Sequence, residues 1–232
     1  DFISRSGYDD IVLTTSKLKN NGTVKAFAYW DANNNLKYDV GEIILRNQKF
    51  ILNPAGHEYY TSSNGELYFF DLSGNCSVRY TVPANWSLTT SGLPYSFTMP
   101  SDTALNLSYG VKPSATVSLF KPSITAGLAR CLDVTSLKVD VNNNGTTVKK
   151  IKVEILYDTT LQFISSLITP DTFAKGRIIY IVNNLQPTYF TQFGLKFKMP
   201  AFLPGQPNVY PLKANTYSLE SGNIYTYNST DS

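Results

Sequence analysis

Apolar and polar residues alternate along most of this chain, in short runs that end at turn residues. Residues 23–30 show the pattern clearly, because Val24, Ala26 and Ala28 alternate with larger or polar side chains. A period of two is typical of a β-strand that buries one face, and no long stripe with the 3.6-residue period of a helix is present in the sequence. The pattern therefore predicts an all-β protein.

The predicted strands fall into two sets, separated near Lys112-Pro113-Ser114. Short strands spaced ~8–12 residues apart, in two successive sets, are typical of two tandem antiparallel β-sandwiches of the immunoglobulin-like or transthyretin-like kind. We therefore predict one domain over residues 21–113 and a second over residues 114–232. Residues 1–20 are predicted to be an N-terminal segment or an edge strand around Ile11-Val12-Leu13.

Two turn sequences are typical of β-hairpins. Asn64-Gly65 predicts a hairpin between strands near residues 59–61 and 66–70, and the segment 142–145 predicts a second hairpin between its flanking strands. Residues 160–167 are the one helix candidate, but their β-branched and aromatic content favours a strand.

Composition excludes several kinds of partner. Hydrophobic residues make up 42% of the 232 residues and charged residues 16%, which is too apolar for intrinsic disorder. A net charge of +3 gives no strong positive field, so nucleic acid is not expected as a partner. The longest apolar run, at 178–182, is much shorter than the ~18 residues of a membrane span, and the protein is therefore predicted not to insert into a membrane.

Few side chains suited to catalysis are present. The chain has one histidine, His57, which would need partners to act as a base or a zinc ligand and is expected on a surface loop. Cys76 and Cys131 are expected to be free buried thiols, with a disulfide between them as the alternative. We therefore predict that the protein is not an enzyme, with a hydrolase site built from acids of both domains as an alternative.

One segment, residues 31–42, has the spacing of a metal-binding loop. Oxygen-bearing side chains occupy positions 1, 3, 5, 9 and 12 of twelve, and a backbone carbonyl falls at position 7, as in calcium loops of the EF-hand type. The predicted ligands are Asp31, Asn33, Asn35, Lys37 through its carbonyl, Asp39 and Glu42. Alternate side chains of a short loop can converge on a hard cation such as Ca²⁺, which binds six to eight oxygens.

Two features weaken this match. Leu36 occupies the position where the motif has glycine, and no helix is predicted on either side of the loop. With only three carboxylates the expected dissociation constant is ~10⁻⁴–10⁻³ M. The alternatives are another ion, or an Asn-rich turn whose side chains bond their own backbone.

The segment from Val24 to Glu42, followed by Ile44-Leu45, resembles the opening of the serine-aspartate-repeat protein B-type domain, one of the transthyretin-like modules of bacterial surface proteins. Gly65, Gly74 and Pro83 continue the family pattern, and the resemblance covers about residues 22–111. It implies a β-sandwich stalk or spacer in which the acidic loop binds calcium in many members. By position, the ligands in this chain would be Asp31, Asn33, Asn35, Asp39 and Glu42.

Related collagen-binding B-type modules join a strand lysine to an asparagine with the help of a nearby acid. Lys25 and Asn106 match the two partners in this resemblance, but the acid expected near Tyr80 is missing from the sequence. We therefore expect no such cross-link.

The second half resembles the immunoglobulin-like conserved repeat domains of large secreted bacterial surface proteins. The resemblance extends over about residues 115–216, and its clearest elements are the segments 140–146 and 183–187. It indicates architecture rather than activity.

Taken together, these features predict a non-catalytic structural or adhesive module of a secreted or cell-surface bacterial protein, acting as a calcium-stiffened spacer or adhesin stalk. Its expected partners are neighbouring domains of a longer chain, together with a host protein, matrix protein or glycan. The alternative is a carbohydrate-binding module attached to a secreted enzyme. Its aromatic candidates, for which packing in the core is the competing interpretation, are Trp86, Tyr95, Phe97, Tyr217, Tyr225 and Tyr227.

Overall fold

The regular structure of the protein consists of β-strands. The computed structural model describes residues 23–91, 93–99, 104–201, 210–219 and 224–228. Every regular element in these ranges is a strand, which confirms the all-β prediction. Within the same ranges, no helix has the length and apolar character needed to span a membrane. The predicted edge strand at residues 11–13 lies outside the described residues.

Eighteen strands are present in the described part of the chain. The first nine are β1 (Val24–Trp30), β2 (Ile44–Leu45), β3 (Lys49–Asn53), β4 (His57–Tyr60), β5 (Glu66–Phe69), β6 (Gly74–Tyr80), β7 (Trp86–Leu88), β8 (Tyr95–Met99) and β9 (Leu105–Pro113). The other nine are β10 (Phe120–Ala126), β11 (Val134–Asn143), β12 (Lys149–Tyr157), β13 (Gln162–Ser166), β14 (Thr172–Ala174), β15 (Arg177–Leu185), β16 (Phe190–Lys198), β17 (Leu212–Ser218) and β18 (Ile224–Asn228). Residues 160–167 contain β13, so the preference for a strand there is confirmed.

Strands β1–β9, which we call the first module, form two sheets. One has the order β2-β1-β9-β7, with β5 also paired to β1, and the other has the order β4-β3-β6-β8. Strands β1 and β9 pair in parallel, from Val24 opposite Leu105 to Trp30 opposite Val111, while the other described pairs of this module are antiparallel. The side chains that point inward from both sheets form one hydrophobic core.

Strands β10–β18, which we call the second module, form another pair of sheets. Their orders are β10-β11-β16-β13 and β14-β15-β12-β17-β18, and their pairs are antiparallel. The core between these sheets is rich in branched aliphatic residues such as Val139, Ile151 and Ile155. This core shares no residue with that of the first module, because the two draw on residues 24–111 and 120–214.

Both hairpin predictions are wrong. Strand β4 pairs with β3 and strand β5 with β1, so the turn at Asn64-Gly65 carries the chain from one sheet to the other. The segment 142–145 does the same in the second module, since β11 pairs with β10 and β16 while β12 pairs with β15 and β17. The turn residues reverse the chain as expected, but burial of both flanking strands decides which strands become neighbours.

Candidate functional site

The predicted calcium loop, residues 31–42, projects from one end of the first module. Trp30, at the end of β1, donates its N–H to the carbonyl of Ile43 (2.8 Å), which closes the base of the loop. The N–H of Asp31 bonds the carbonyl of Val111 (2.9 Å), near the end of β9. The loop therefore begins beside the strand from which the chain leaves for the second module.

Asp31 is the buried anchor of the loop, with a side chain only 1% exposed. Its two carboxylate oxygens accept the backbone N–H groups of Asn35 (3.0 Å) and Leu36 (3.2 Å). Within the described residues no cationic side chain forms an ion pair with it. Its charge is therefore balanced only by neutral backbone dipoles.

The amide side chains of Asn33 and Asn35 gather around Asp39. Their oxygens accept the N–H groups of Asn35 (3.1 Å) and Lys37 (2.9 Å), while both amide nitrogens donate to Oδ2 of Asp39 (2.7 and 2.6 Å). These Asx turns wind the loop tightly. The predicted ligands Asn33, Asn35 and Asp39 are thus brought together.

Glu42 closes the loop from its far end. Its two carboxylate oxygens accept the N–H groups of Ala32 (3.0 Å) and Asp39 (3.1 Å), which ties the start of the loop to its end. In the described part of the chain, no three Asp, Glu, His or Cys side chains converge closely enough to hold a metal ion. The carboxylates of Asp31 and Glu42 accept backbone N–H groups and do not converge on the carboxylate of Asp39.

The chemistry of this loop suits a hard cation. All the predicted side-chain donors are oxygens, and rotation of the Asn33 and Asn35 amides would turn their oxygens toward Asp39. Leu36 has a φ of 68°, the left-handed conformation for which the motif uses glycine, so the backbone at this position adopts that conformation in spite of the substitution. Tyr38 fixes the loop to β1 by packing edge-on against Phe27 (5.2 Å) and Tyr29 (5.4 Å).

Lys25 and Asn106 lie opposite one another on β1 and β9. The acid that the sequence lacked near Tyr80 is supplied from β5, where Glu66 forms an ion pair with Lys25. The hydrogen bond that Lys25 donates to Glu66 raises the pKa of Lys25, which keeps the amine protonated and therefore not nucleophilic. The geometry brings the residues together, but the electrostatics disfavour amide formation.

The structure also locates the other residues that the sequence analysis considered for catalysis, a disulfide or sugar binding. His57 is exposed but begins strand β4, so the prediction of a surface loop is wrong in its secondary structure. Both cysteines are free, and the expected burial holds for Cys76 but not for Cys131, which is exposed. Trp86 is 8% exposed and belongs to the first core, against which Tyr95 and Phe97 pack, whereas Tyr217 bonds Glu154. The side chains of Tyr225 and Tyr227 lie outside the described residues.

A feature that the sequence did not predict is the bonded junction between the modules. Residues 114–119, which link β9 to β10, bond the turn at residues 144–147 through Val117 (2.8 Å), Leu119 (2.8 Å) and other groups. The N–H of Ser114 bonds the carbonyl of Asn85 in the first module (2.8 Å). A Cβ on Gly145 would lie 2.3 Å from the Val117 carbonyl oxygen, so only glycine permits this approach.

Arg46 connects the modules directly. Its backbone N–H donates to Oγ1 of Thr188 (2.7 Å), and its guanidinium lies 3.6 Å from the centre of the Tyr189 ring. A cleft of about 520 Å³ opens beside it and is lined by residues of both modules. Contacts between residues more than a hundred positions apart leave no periodic signal in a sequence, which is why these were missed.

Comparisons with known proteins give no family assignment. No protein-family model and no curated protein matches the chain. Among solved structures, it is similar to the major pilin subunit BcpA of Bacillus cereus, with 13% identity, a TM-score of 0.37, and coverage of 90% of this chain and 67% of that one. It is also similar to the major pilin SpaD of Corynebacterium diphtheriae, with 13% identity, a TM-score of 0.35, and coverage of 90% and 65%. The T6 backbone pilin of Streptococcus pyogenes matches with 9% identity, a TM-score of 0.32, and coverage of 90% and 63%.

Proposed function

We propose that the protein is a non-catalytic spacer or adhesin-stalk segment of a secreted or cell-surface bacterial protein, stiffened by calcium bound in the loop 31–42. In this role its two modules fix the distance and angle between neighbouring domains of a longer chain. The observation that carries the proposal is the bonded junction at residues 114–119, because a spacer requires a connection that does not swivel.

The junction restricts movement from two sides. The linker bonds the turn 144–147 of the second module, and Ser114 bonds Asn85 of the first. Arg46 contributes a separate contact with Thr188 and Tyr189. Flexible linkers leave their backbone groups to water, whereas this one places its groups in protein hydrogen bonds, which favours one relative orientation of the modules.

Calcium would act where the first module meets the linker. The loop starts where Asp31 bonds Val111, and Lys112 donates to the side-chain oxygen of Asn34 (2.9 Å). A cation among Asp31, Asp39 and Glu42 would neutralise three carboxylates and fix the loop against β9. The stiffening would therefore be applied next to the linker.

Thermal unfolding in a calcium titration tests whether the loop binds calcium. With a dissociation constant of ~10⁻⁴–10⁻³ M, 10 mM Ca²⁺ should stabilise the protein by about 1.4–2.7 kcal/mol. This corresponds to a rise in Tm of roughly 3–10 °C, which EDTA should reverse. The variant Asp31→Asn should lose the response, and Glu58→Gln, an exposed acid outside the loop, should keep it. An unchanged Tm at 10 mM Ca²⁺ would contradict the calcium site.

Small-angle X-ray scattering tests whether the two modules keep one relative orientation, as the spacer role requires. The wild-type chain should give a scattering profile that fits one fixed arrangement of the modules. Gly145→Ala should broaden the distance distribution, because its Cβ would push the linker away from the turn. Asn144→Ala changes a neighbouring exposed side chain and serves as the control. A wild-type profile that requires many orientations would contradict the spacer role even if calcium binds.

A further inference from the structure

We propose that the cleft between the modules, beside Arg46, binds a carboxylate-bearing sugar, with the Arg46 guanidinium as the partner of the carboxylate. This inference does not depend on the calcium loop, which lies outside the lining of the cleft. It assigns a ligand site to the junction in addition to its role as a connection.

Among the described residues, Arg46 is a cation held by stacking that has no anionic partner. Stacking on Tyr189 holds the plane of its guanidinium, and its Nε is buried without a hydrogen-bond partner in the described part of the chain. No ion pair involves Arg46 among the described residues. A planar guanidinium held in place is suited to bidentate binding of a carboxylate, and an unpaired buried donor requires an explanation.

Backbone strain is concentrated at the same place. Asn47 has a φ of 53° and Thr188 a φ of 65°, and they neighbour Arg46 and Tyr189 in the chain. A left-handed conformation is costly for a β-branched residue such as threonine. Strained residues that a fold retains are often found at binding sites. Here both of them line the cleft together with Arg46.

The shape and lining of the cleft define the ligand further. Its volume of about 520 Å³ lies within the range of small-molecule sites. None of the described residues that line it carries a carboxylate, so nothing in the lining competes for the guanidinium. The groups offered to a ligand are the amides and hydroxyl of Asn47, Asn142, Asn144 and Ser63, and the ring of Phe190.

This combination favours a sugar over a peptide. Amides and hydroxyls both donate and accept hydrogen bonds, which suits a ring that carries several hydroxyl groups. Phe190 is 47% exposed and so offers an aromatic face for the apolar side of a sugar ring. The carboxylate would lie against Arg46 and the hydroxyl groups against the amides. A hexuronic or sialic acid at the end of a glycan has these features.

Isothermal titration calorimetry with sodium glucuronate and N-acetylneuraminate tests the proposal, with glucose as the neutral probe and an N-acetylated tripeptide as the peptide probe. Tryptophan fluorescence gives a second readout, because the chain has two tryptophans and Trp86 lines the cleft within 5.8 Å of Trp30. At least one acidic sugar should bind saturably. Glucose and the tripeptide should bind at least tenfold more weakly.

Variants separate binding from folding. Arg46→Gln should weaken binding of the acidic sugar at least tenfold, and Arg46→Lys should weaken it less because the charge remains. Phe190→Ala, at an exposed position, should weaken binding without disturbing the junction. Arg79→Gln removes an exposed arginine of the first module and should change nothing.

Four outcomes would overturn the proposal. Absence of binding by both acidic sugars at 10 mM would show an empty cleft with a purely structural Arg46. Equal binding of glucose would exclude the carboxylate as the recognised group, and equal or tighter binding of the tripeptide would exclude the sugar. An unchanged affinity in Arg46→Gln, with the melting temperature preserved, would place the ligand elsewhere.

Discussion

Each module contains a buried carboxylate, and the two are satisfied in opposite ways. Asp31 in the first module accepts bonds from loop backbone N–H groups only. Glu154 in the second module, on β12, accepts bonds from Arg177 (2.8 and 2.6 Å), Asn215 (3.2 Å) and Tyr217 (2.6 Å). One carboxylate has no cationic side chain as a partner in the described residues, and the other has an arginine.

This difference distinguishes a carboxylate of the proposed calcium site from a carboxylate held in a structural ion pair. Burial alone would raise the pKa of Glu154, but the bonds from Tyr217, Arg177 and Asn215 outweigh it and lower the pKa to about 2. Its charge is therefore neutralised within the protein. In the proposed calcium site the cation would neutralise the negative charge of Asp31, because neutral dipoles stabilise a charge without cancelling it.

Removing the buried acid of the second module should give the largest effect. Glu154→Ala leaves Arg177, Asn215 and Tyr217 without their shared acceptor and should lower the free energy of unfolding by about 2–4 kcal/mol. Urea denaturation measures this loss. Glu58→Gln removes an exposed acid that pairs with Lys49 and should cost less than about 0.5 kcal/mol. Similar losses for Glu154→Ala and Glu58→Gln would show that burial does not distinguish the two pairs.

Low pH should destabilise the protein through the same carboxylate, that of Glu154. Because the pKa of Glu154 is lowered from 4.5 to about 2 on folding, its contribution is complete above the unfolded value and is lost as the pH falls through the folded value. Stability should therefore decrease by roughly 3 kcal/mol between pH 5 and pH 2 from this group. Urea denaturation at each pH should show a flatter profile in Glu154→Gln. Parallel profiles for the two proteins would assign the acid sensitivity to other carboxylates.

The smallest expected effect concerns the loop of Asp31. Leu36→Gly relieves a left-handed φ at a residue that is 48% exposed, so the gain should exceed the lost packing. We expect an increase of about 0.5–1 kcal/mol in stability without calcium and tighter calcium binding. Leu36→Ala keeps the strain and serves as the control. Calcium affinity that falls in Leu36→Gly would contradict the proposed path of the backbone.

The strands could be predicted from the sequence more easily than their partners. Alternation along residues 24–30 reflects a local property, because each inward side chain must be apolar. The chain reversal at Asn64-Gly65 is also a local property, which two turn residues are enough to indicate. The partner of β5 is not local, because burial places it against β1 in the other sheet. The parallel pairing of β1 with β9 joins residues about eighty positions apart, and no short pattern encodes it.

The candidate sites likewise combine features that the local sequence indicates with features that depend on distant parts of the chain. The spacing of Asp31, Asn33 and Asn35 is local, and the structure forms a wound loop from it. The bonds of Glu42 to backbone donors and the left-handed Leu36 depend on how the loop is fixed at its base. The stack of Arg46 on Tyr189 requires two modules to meet, so neither sequence segment indicates it alone.

The parallel pair of β1 and β9 has a mechanical consequence. Among the described strands of the first module, β1 is the first and begins at Val24, and β9 is the last and ends at Pro113. Tension between these points would pull the two strands along their length in opposite directions, and seven register pairs would bear the load together. Antiparallel neighbours pulled from one end would instead separate pair by pair. The first module is therefore loaded in shear, the geometry in which a β-sheet resists extension most strongly.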